Sequence, residues 1–265
     1  MHFNSSLRRP QIPRFLASFL SSSFSSSSFS SSSSIILYQY QICPFCCKTK
    51  SILNFLQLPY NTIEVNPLTK SQLKHSDYKK VPIAVFPPTT STSTSTSTIN
   101  DSAAIINHIL ATNPLPDNFN NEKAKKWLDW CDFHLAPRIY PAITETFGDS
   151  VQTFSYLDHV STFTAVEKLM AKYVGAFAMV LANGKIKKKY NITDTKLELT
   201  SAMDDWVENA LNGENFQGGD NASVADVGVY GVLRGLEGAG GGFFNEVVLE
   251  RREVNDWFRR VERLV

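Results

Sequence analysis

The chain has 265 residues, a formal net charge of +1, and 43% hydrophobic against 19% charged residues. This is the balance of an ordinary globular protein, long enough for one large or two small domains, and it argues against a general electrostatic role on nucleic acid or a membrane surface. Four cysteines, three of them clustered, make no disulfide framework and fit reduced thiols in a cytosol-like or organelle-matrix compartment.

Residues 1–34 read as a segment apart from the fold. They hold Arg8, Arg9 and Arg14, a serine tract from Ser21 to Ser34 broken by Phe24 and Phe29, and no acidic residue; the first acidic side chain is Glu64. Arg- and Ser-rich, acid-poor composition is that of an organelle transit peptide, so import into the mitochondrion is expected, with the chloroplast as the alternative. No run reaches the roughly 18 apolar residues of a membrane span. Val174 to Ala182 is too short and is flanked by Lys172 and Lys185.

Ile35 to Tyr40 reads as a strand. Cys43-Pro44-Phe45-Cys46 follows and opens a helical pattern through Ile52, Phe55 and Leu56, closed by Leu58-Pro59. A C-x-x-C pair between a strand and a helix is the redox motif of thioredoxin-like folds. Pro44 suits the first helical position, which sets Cys43 at the helix start, where unpaired amide N–H groups stabilise a thiolate. Cys46, one turn on, is close enough to attack a disulfide formed on Cys43. A zinc site would need two more ligands with suitable spacing, and only Cys47 and Cys131 remain among the cysteines. Cys131 falls on an apolar helical stripe, and Cys47 reads as packing.

Tyr60 to Val65 alternates as a strand and Lys70 to His75 reads as a short polar helix. Val81 to Phe86 is a strand with a proline near its start, and Asp101-Ser102 opens a helix carrying Ile105, Ile106 and Ile109. The Pro- and Ser/Thr-rich stretch 87–98 cannot bury a core and is expected as a disordered loop, leaving a fourth strand of about Thr98–Asn100. This order over residues 35–112 is the layout of an α/β thioredoxin-like domain. A linker is expected over 113–121 and an all-α domain over 122–265. Its apolar stripes are Ala124, Trp127, Leu128, Cys131 and Leu135; Phe163, Val166, Met170, Tyr173, Phe177 and Leu181; Leu199, Met203, Trp206, Val207 and Ala210; Ala225, Val229, Val232 and Leu236; and Val254, Trp257, Phe258 and Val261.

A thioredoxin-like domain joined to an all-helical one is the architecture of glutathione transferases. Asn221-Ala222-Ser223-Val224-Ala225-Asp226 resembles the capping box of their helical domain, in which the Ser223 hydroxyl accepts the Asp226 amide and the Asp226 carboxylate reaches back. The likeness sharpens at Leu37 to Cys46, Leu58-Pro59-Tyr60, Tyr78 to Ile83, Asn100-Asp101-Ser102, Lys172 to Ala176, Ala225 to Arg234 and Trp257 to Arg263. Over about residues 36–265 the chain resembles the prostaglandin E synthase 2 family, and its serine-rich tail is similar to that of plant members.

The resemblance implies a glutathione site. Val81-Pro82 would hold a cis bond and offer the Val81 backbone to the tripeptide, Asp101 and Ser102 would bind its γ-glutamyl end, and Cys43 would approach its sulfur. It further implies isomerisation of prostaglandin H2 to prostaglandin E2 through a Cys43-type thiol, with Tyr40 and Phe45 near the substrate, and haem bound through the glutathione thiol. Prostaglandin H2 is not an expected plant metabolite. Two enzyme alternatives therefore stand: a glutaredoxin-like thiol–disulfide oxidoreductase and a glutathione transferase. A non-catalytic glutathione or haem carrier is the reading of another class. The expected partner is a small molecule, with no nucleic acid and no transmembrane span, and a second copy of the chain is a candidate partner.

Overall fold

In a computed structural model, the structure describes residues 34–88, 95–113, 115, 118–240 and 242–265. The transit-like segment up to residue 33 and the heart of the Ser/Thr tract lie outside the described residues. Four short strands form the sheet: β1 (Ile35–Gln39), β2 (Tyr60–Glu64), β3 (Ile83–Phe86) and β4 (Ser97–Asn100). Their order is β2-β1-β3-β4, with β1 parallel to β2 and antiparallel to β3, and β3 antiparallel to β4. The sequence expects the last strand from Thr98; it also takes in Ser97, which pairs with Phe86.

Helix α1 (Pro44–Phe55) starts where the proline sits and returns the chain to the parallel strand β2. Lys70 to His75 yields only a 3-10 turn at Ser71–Leu73, whose Leu73 is fully buried. Helix α2 (Ser102–Thr112) is capped by Asp101, whose carboxylate accepts the Ala103 amide at 2.9 Å. The stretch expected as a linker is anchored to the core, because Phe119 is buried and stacks on Phe55 at 5.0 Å.

Helix α3 (Glu122–Trp130) runs through a π turn at Cys131–Leu135 into α4 (Ala136–Ile143). Pro137 cannot donate to the carbonyl four residues back, and the ladder shifts: Ala136 donates to Cys131, five back. The apolar stripe from Ala124 to Leu135 is buried as the spacing requires. After α5 (Phe147–Thr153) and a 3-10 stretch come α6 (Ala165–Lys189), α7 (Thr195–Asp205), α8 (Val224–Gly238) and α9 (Arg252–Glu262). The capping box of α8 forms as expected: the Asp226 carboxylate accepts the Ser223 amide at 2.8 Å and the Ser223 hydroxyl accepts the Asp226 amide at 3.4 Å. The same carboxylate also takes the Gln217 amide and the Trp257 indole N–H.

One stripe lies on the other side of its helix. Val166, Met170, Tyr173, Phe177 and Leu181 of α6 are exposed, and the buried face is Ala171, Gly175, Ala176 and Asn183. Small residues let the backbone come close: a Cβ on Gly175 would lie 3.1 Å from the Phe154 ring. The large side chains therefore turn outward. Among the described residues no helix is long and apolar enough to cross a membrane.

Candidate functional site

A cavity of about 510 Å³ opens between the ends of β1 and β3, the start of α1 and helices α4 and α6. Cys43, Tyr40, Phe45, Val81, Pro82, Asp101 and Ser102, all singled out in the sequence, line it together. Cys43 stands at the N-cap of α1 with its thiol 3.7 Å from the Tyr140 hydroxyl. The Cys46 thiol as hydrogen-bond donor pulls the Cys43 thiol down to about 7, against the opposing effect of burial, and the Cys46 amide, the Tyr140 hydroxyl and the Phe45 amide add to the pull. A thiol lowered in this direction carries more thiolate at neutral pH than an ordinary cysteine.

Cys46 itself does not face the cavity. It is fully buried, and burial followed by the neighbouring Cys43 pushes its thiol well above the ordinary range. Its proton stays on and points to Cys43. Burial likewise lifts Cys47 to about 11, and its thiol donates to the Gln41 carbonyl at 3.2 Å, so it braces the turn before Cys43. The same turn is held from β2, where the Glu64 carboxylate accepts the Gln41 amide at 2.9 Å and the Gln39 side chain at 3.1 Å. Burial raises Glu64, offset first by the Gln41 amide and then by a bond from Tyr156 of the helical layer. Cys131 lies in the core, raised by burial.

The walls of the cavity differ in chemistry. One side carries Lys70, Lys80, the Asp101 carboxylate and the buried Ser102 at the start of α2, where free amide donors gather. The Val81–Pro82 bond there is cis, and Asp101 holds φ at 77°, a conformation that non-glycine residues seldom adopt. The other side is apolar, with Ile143, Phe154, Ala178 and Met179. Such a cavity suits a ligand with charged ends and a sulfur or apolar centre. Among the described lining residues Cys43 is the one thiol.

The sequence offered no sign of Tyr140, which sits 97 residues after Cys43 and reaches it only through the packing of α4 on α1. Tyr156 was missed for the same reason, whereas Tyr78 and Lys70 lie in the connection between β2 and β3 and were read there without a part in the site. A second cavity, of about 570 Å³, shares Ile143 and Thr153 with the first but holds no thiol. Two of its carboxylates, Asp149 and Asp194, cap helices, and Glu145 and Glu246 are paired with Lys187 and Lys196. Among the described residues no cluster of metal-binding side chains is present.

The glutathione S-transferase N-terminal domain model matches residues 37–117. Prostaglandin E synthase 2 of Mus musculus is 31% identical over 276 residues, covering 87% of this chain and 70% of that protein. The protein of the same name from Danio rerio is 30% identical over 275 residues, covering 86% and 70%. Among solved structures, human glutathione-S-transferase T1-1 in its apo form superposes with a TM-score of 0.51 at 16% identity, covering 86% of this chain and 82% of that one. Glutathione S-transferase III, also apo, gives 0.52 at 18% identity, covering 86% and 91%. At those identities the structural likeness carries the fold alone.

Proposed function

Because the chain belongs to the prostaglandin E synthase 2 family, we propose that it is a glutathione-binding thiol enzyme whose reacting group is the Cys43 thiolate. The observation that carries this reading is the thiol held near neutral titration on the wall of a cavity that also contains Val81, Pro82, Asp101 and Ser102. Glutathione offers an ammonium for Asp101, a carboxylate for the start of α2, and a second carboxylate for Lys70 or Lys80. Bound there, it would supply a second thiol next to Cys43. A charge-assisted hydrogen bond contributes about 1.5–3 kcal/mol, so Asp101→Ala should weaken glutathione binding by roughly 10- to 100-fold in titration calorimetry. Unchanged affinity would remove this site.

The chemistry named by the family is the isomerisation of prostaglandin H2 to prostaglandin E2. The Cys43 thiolate would attack one endoperoxide oxygen, forming S–O and breaking O–O. The other oxygen leaves as an alkoxide and takes a proton from the Tyr140 hydroxyl, which stands 3.7 Å from the sulfur. The hydrogen on the carbon bearing the S–O oxygen then leaves as a proton to the phenolate left on Tyr140, which forms the ketone, breaks S–O and returns the thiolate. Reactant and product are isomers, so no outside oxidant enters. Turnover of prostaglandin H2 by the full chain with glutathione, abolished in Cys43→Ser, tests it; equal turnover in that variant overturns it.

A second reading is favoured by the bond from Cys46 to Cys43. After Cys43 takes up a glutathionyl group, the Cys46 sulfur could displace glutathione and close a Cys43–Cys46 disulfide, as in a glutaredoxin. Reduction of a glutathionylated peptide, tested in wild type, Cys43→Ser and Cys46→Ala, separates the two readings. The composition of residues 1–34 supports import into the mitochondrion, with the chloroplast as the alternative. Fusing that segment to a fluorescent protein tests both.

A further inference from the structure

Isomerisation through Cys43 needs one sulfur, because the S–O intermediate gives back the thiolate when the oxygen-bearing carbon loses its hydrogen as a proton. Cys46 has no part in it, yet it stands one turn along α1 with its thiol hydrogen-bonded to Cys43. It is fully buried, so a bulky thiol or disulfide cannot reach its sulfur from solvent. The remaining cysteines are committed elsewhere: Cys47 donates to the Gln41 carbonyl and Cys131 lies in the core. The Cys43 thiol, a phenol 3.7 Å from it and a second thiol behind it thus meet at one end of the cavity. Beside them lies the apolar wall of Ile143, Phe154, Ala178 and Met179.

We infer that Cys43 and Cys46 together reduce organic hydroperoxides, with Tyr140 as proton donor and the apolar wall holding the hydrocarbon part. The inference rests on the reading of Cys43 as the reacting thiol. The Cys43 thiolate attacks the outer oxygen of R–O–O–H, forming S–O and breaking O–O. The alkoxide takes the Tyr140 proton and leaves as an alcohol, while Cys43 becomes a sulfenic acid. Burial, then the Cys43 charge, holds the Tyr140 hydroxyl well above the ordinary phenol. It therefore keeps its proton at neutral pH and yields it only to a strong base such as this alkoxide. The oxygen left on sulfur carries hydrogen and no carbon, so no carbon–hydrogen bond can return the thiolate and a second thiol must. The Cys46 sulfur forms S–S with Cys43 and expels that oxygen, which takes the Cys46 proton and leaves as water. The proton that Cys43 shed on ionising returns to Tyr140. Two thiols are thereby oxidised to a disulfide, and the hydroperoxide is reduced to an alcohol and water. Two glutathione thiols return the pair to the dithiol and leave as glutathione disulfide. The order of steps follows from what restrains Cys46. Burial raises it first, and the hydrogen bond and charge of Cys43 add to that. Both additions vanish once Cys43 is a neutral sulfenic acid, so the Cys46 sulfur is freed only after oxygen has been taken up.

The test uses the reduced full chain and cumene hydroperoxide with no glutathione present, followed by stopped flow and peptide mapping. Wild type should end as a Cys43–Cys46 disulfide, about 100-fold faster than free glutathione is oxidised at equal thiolate concentration. Cys46→Ala should stop at a Cys43 sulfenic acid that dimedone traps. Tyr140→Phe should lose roughly 100-fold in the hydroperoxide rate, while alkylation of Cys43 by iodoacetamide, which needs no proton donor, changes far less. Hydrogen peroxide has no apolar part to bind and should react at least ~10-fold more slowly than cumene hydroperoxide. A rate no greater than that of free glutathione, no Cys43–Cys46 disulfide, or no trapped sulfenic acid overturns the inference. So do equal rates for the two peroxides, or a Tyr140→Phe rate that falls no further than alkylation does. If Cys46→Ala fails to fold, the disulfide mapped in wild type carries the test. Prostaglandin H2 turnover and glutathione affinity are measured on the same protein. Hydroperoxide reduction without either leaves this inference standing, and either one without hydroperoxide reduction sinks it alone.

Discussion

At Cys43 the helix start and the neighbours act together. The thiol is drawn down chiefly by the Cys46 thiol, then by amides and the Tyr140 hydroxyl, so its alkylation rate should rise with pH with a midpoint near 7. Cys46→Ala should move that midpoint upward, towards the ordinary thiol value of about 8.5, and Tyr140→Phe should move it the same way by less. Mass-resolved alkylation of Cys43 across pH measures both; an unmoved midpoint in Cys46→Ala would show that Cys46 does not tune its neighbour. The linkage has a definite sign. A thiol titrating lower in the folded chain than in the unfolded one adds stability that is complete above about 8.5 and is lost as pH falls through about 7. Of these residues, Cys43 and Cys46 were legible from their spacing behind a strand. Tyr140 was not, because no periodicity links it to a cysteine in another part of the fold.

Helix α8 is shaped for the close approach of α1. A Cβ on Gly231 would lie 2.6 Å from the Lys48 Cα and 2.9 Å from the Cys47 carbonyl, both backbone atoms that cannot step aside. Gly231→Ala should therefore destabilise the protein by about 1–3 kcal/mol, overriding the gain of up to ~1 kcal/mol that alanine brings to a helix interior. Gly184→Ala, on α6 with nothing within 4 Å of the added atom, should instead stabilise by up to ~1 kcal/mol. Urea midpoints of the two variants at one protein concentration should move in opposite directions; movement in the same direction would sink this account. The N-terminal box of α8 was read correctly as a folding determinant, but its reach was not. Asp226 is fully buried and also holds the Gln217 amide and the Trp257 indole. Each donor left unpaired in Asp226→Ala costs about 1–3 kcal/mol, so a loss of 3 kcal/mol or more in thermal or urea unfolding is expected.

The sheet layer and the helical layer are joined by a buried ion pair. Lys48 of α1 has no exposed surface and pairs with Asp132 in the π turn after α3. Asp132 is raised by burial first, with Lys48 pulling it back. Removing one partner strands the other charge, and Asp132→Ala should cost about 3–5 kcal/mol. The double variant Lys48→Met, Asp132→Leu should recover most of that loss, because apolar residues of similar volume carry no desolvation penalty. Chemical denaturation of the single and double variants closes the cycle. A double variant as unstable as Asp132→Ala would mean that the pair holds the layers together by more than charge balance.

The sequence by itself determined the thioredoxin-like order of strands and helices, the C-x-x-C helix start, the strand with a proline near its start, the Asp101 helix cap and four of the five helical stripes. Each is a local pattern, written in spacing, proline position or capping residues within a few turns of chain. Tertiary structure alone decided which side of a helix faces inward. On α6 the stripe of large side chains predicts a core face, yet the glycine and alanine face is the buried one, because it admits the Phe154 ring and a tighter backbone approach. It also decided that Tyr140 and Tyr156 meet Cys43 across one cavity. That meeting depends on how α4 and α6 pack over the sheet. Packing is fixed by contacts between residues far apart in the chain, and those leave no period in the sequence to read.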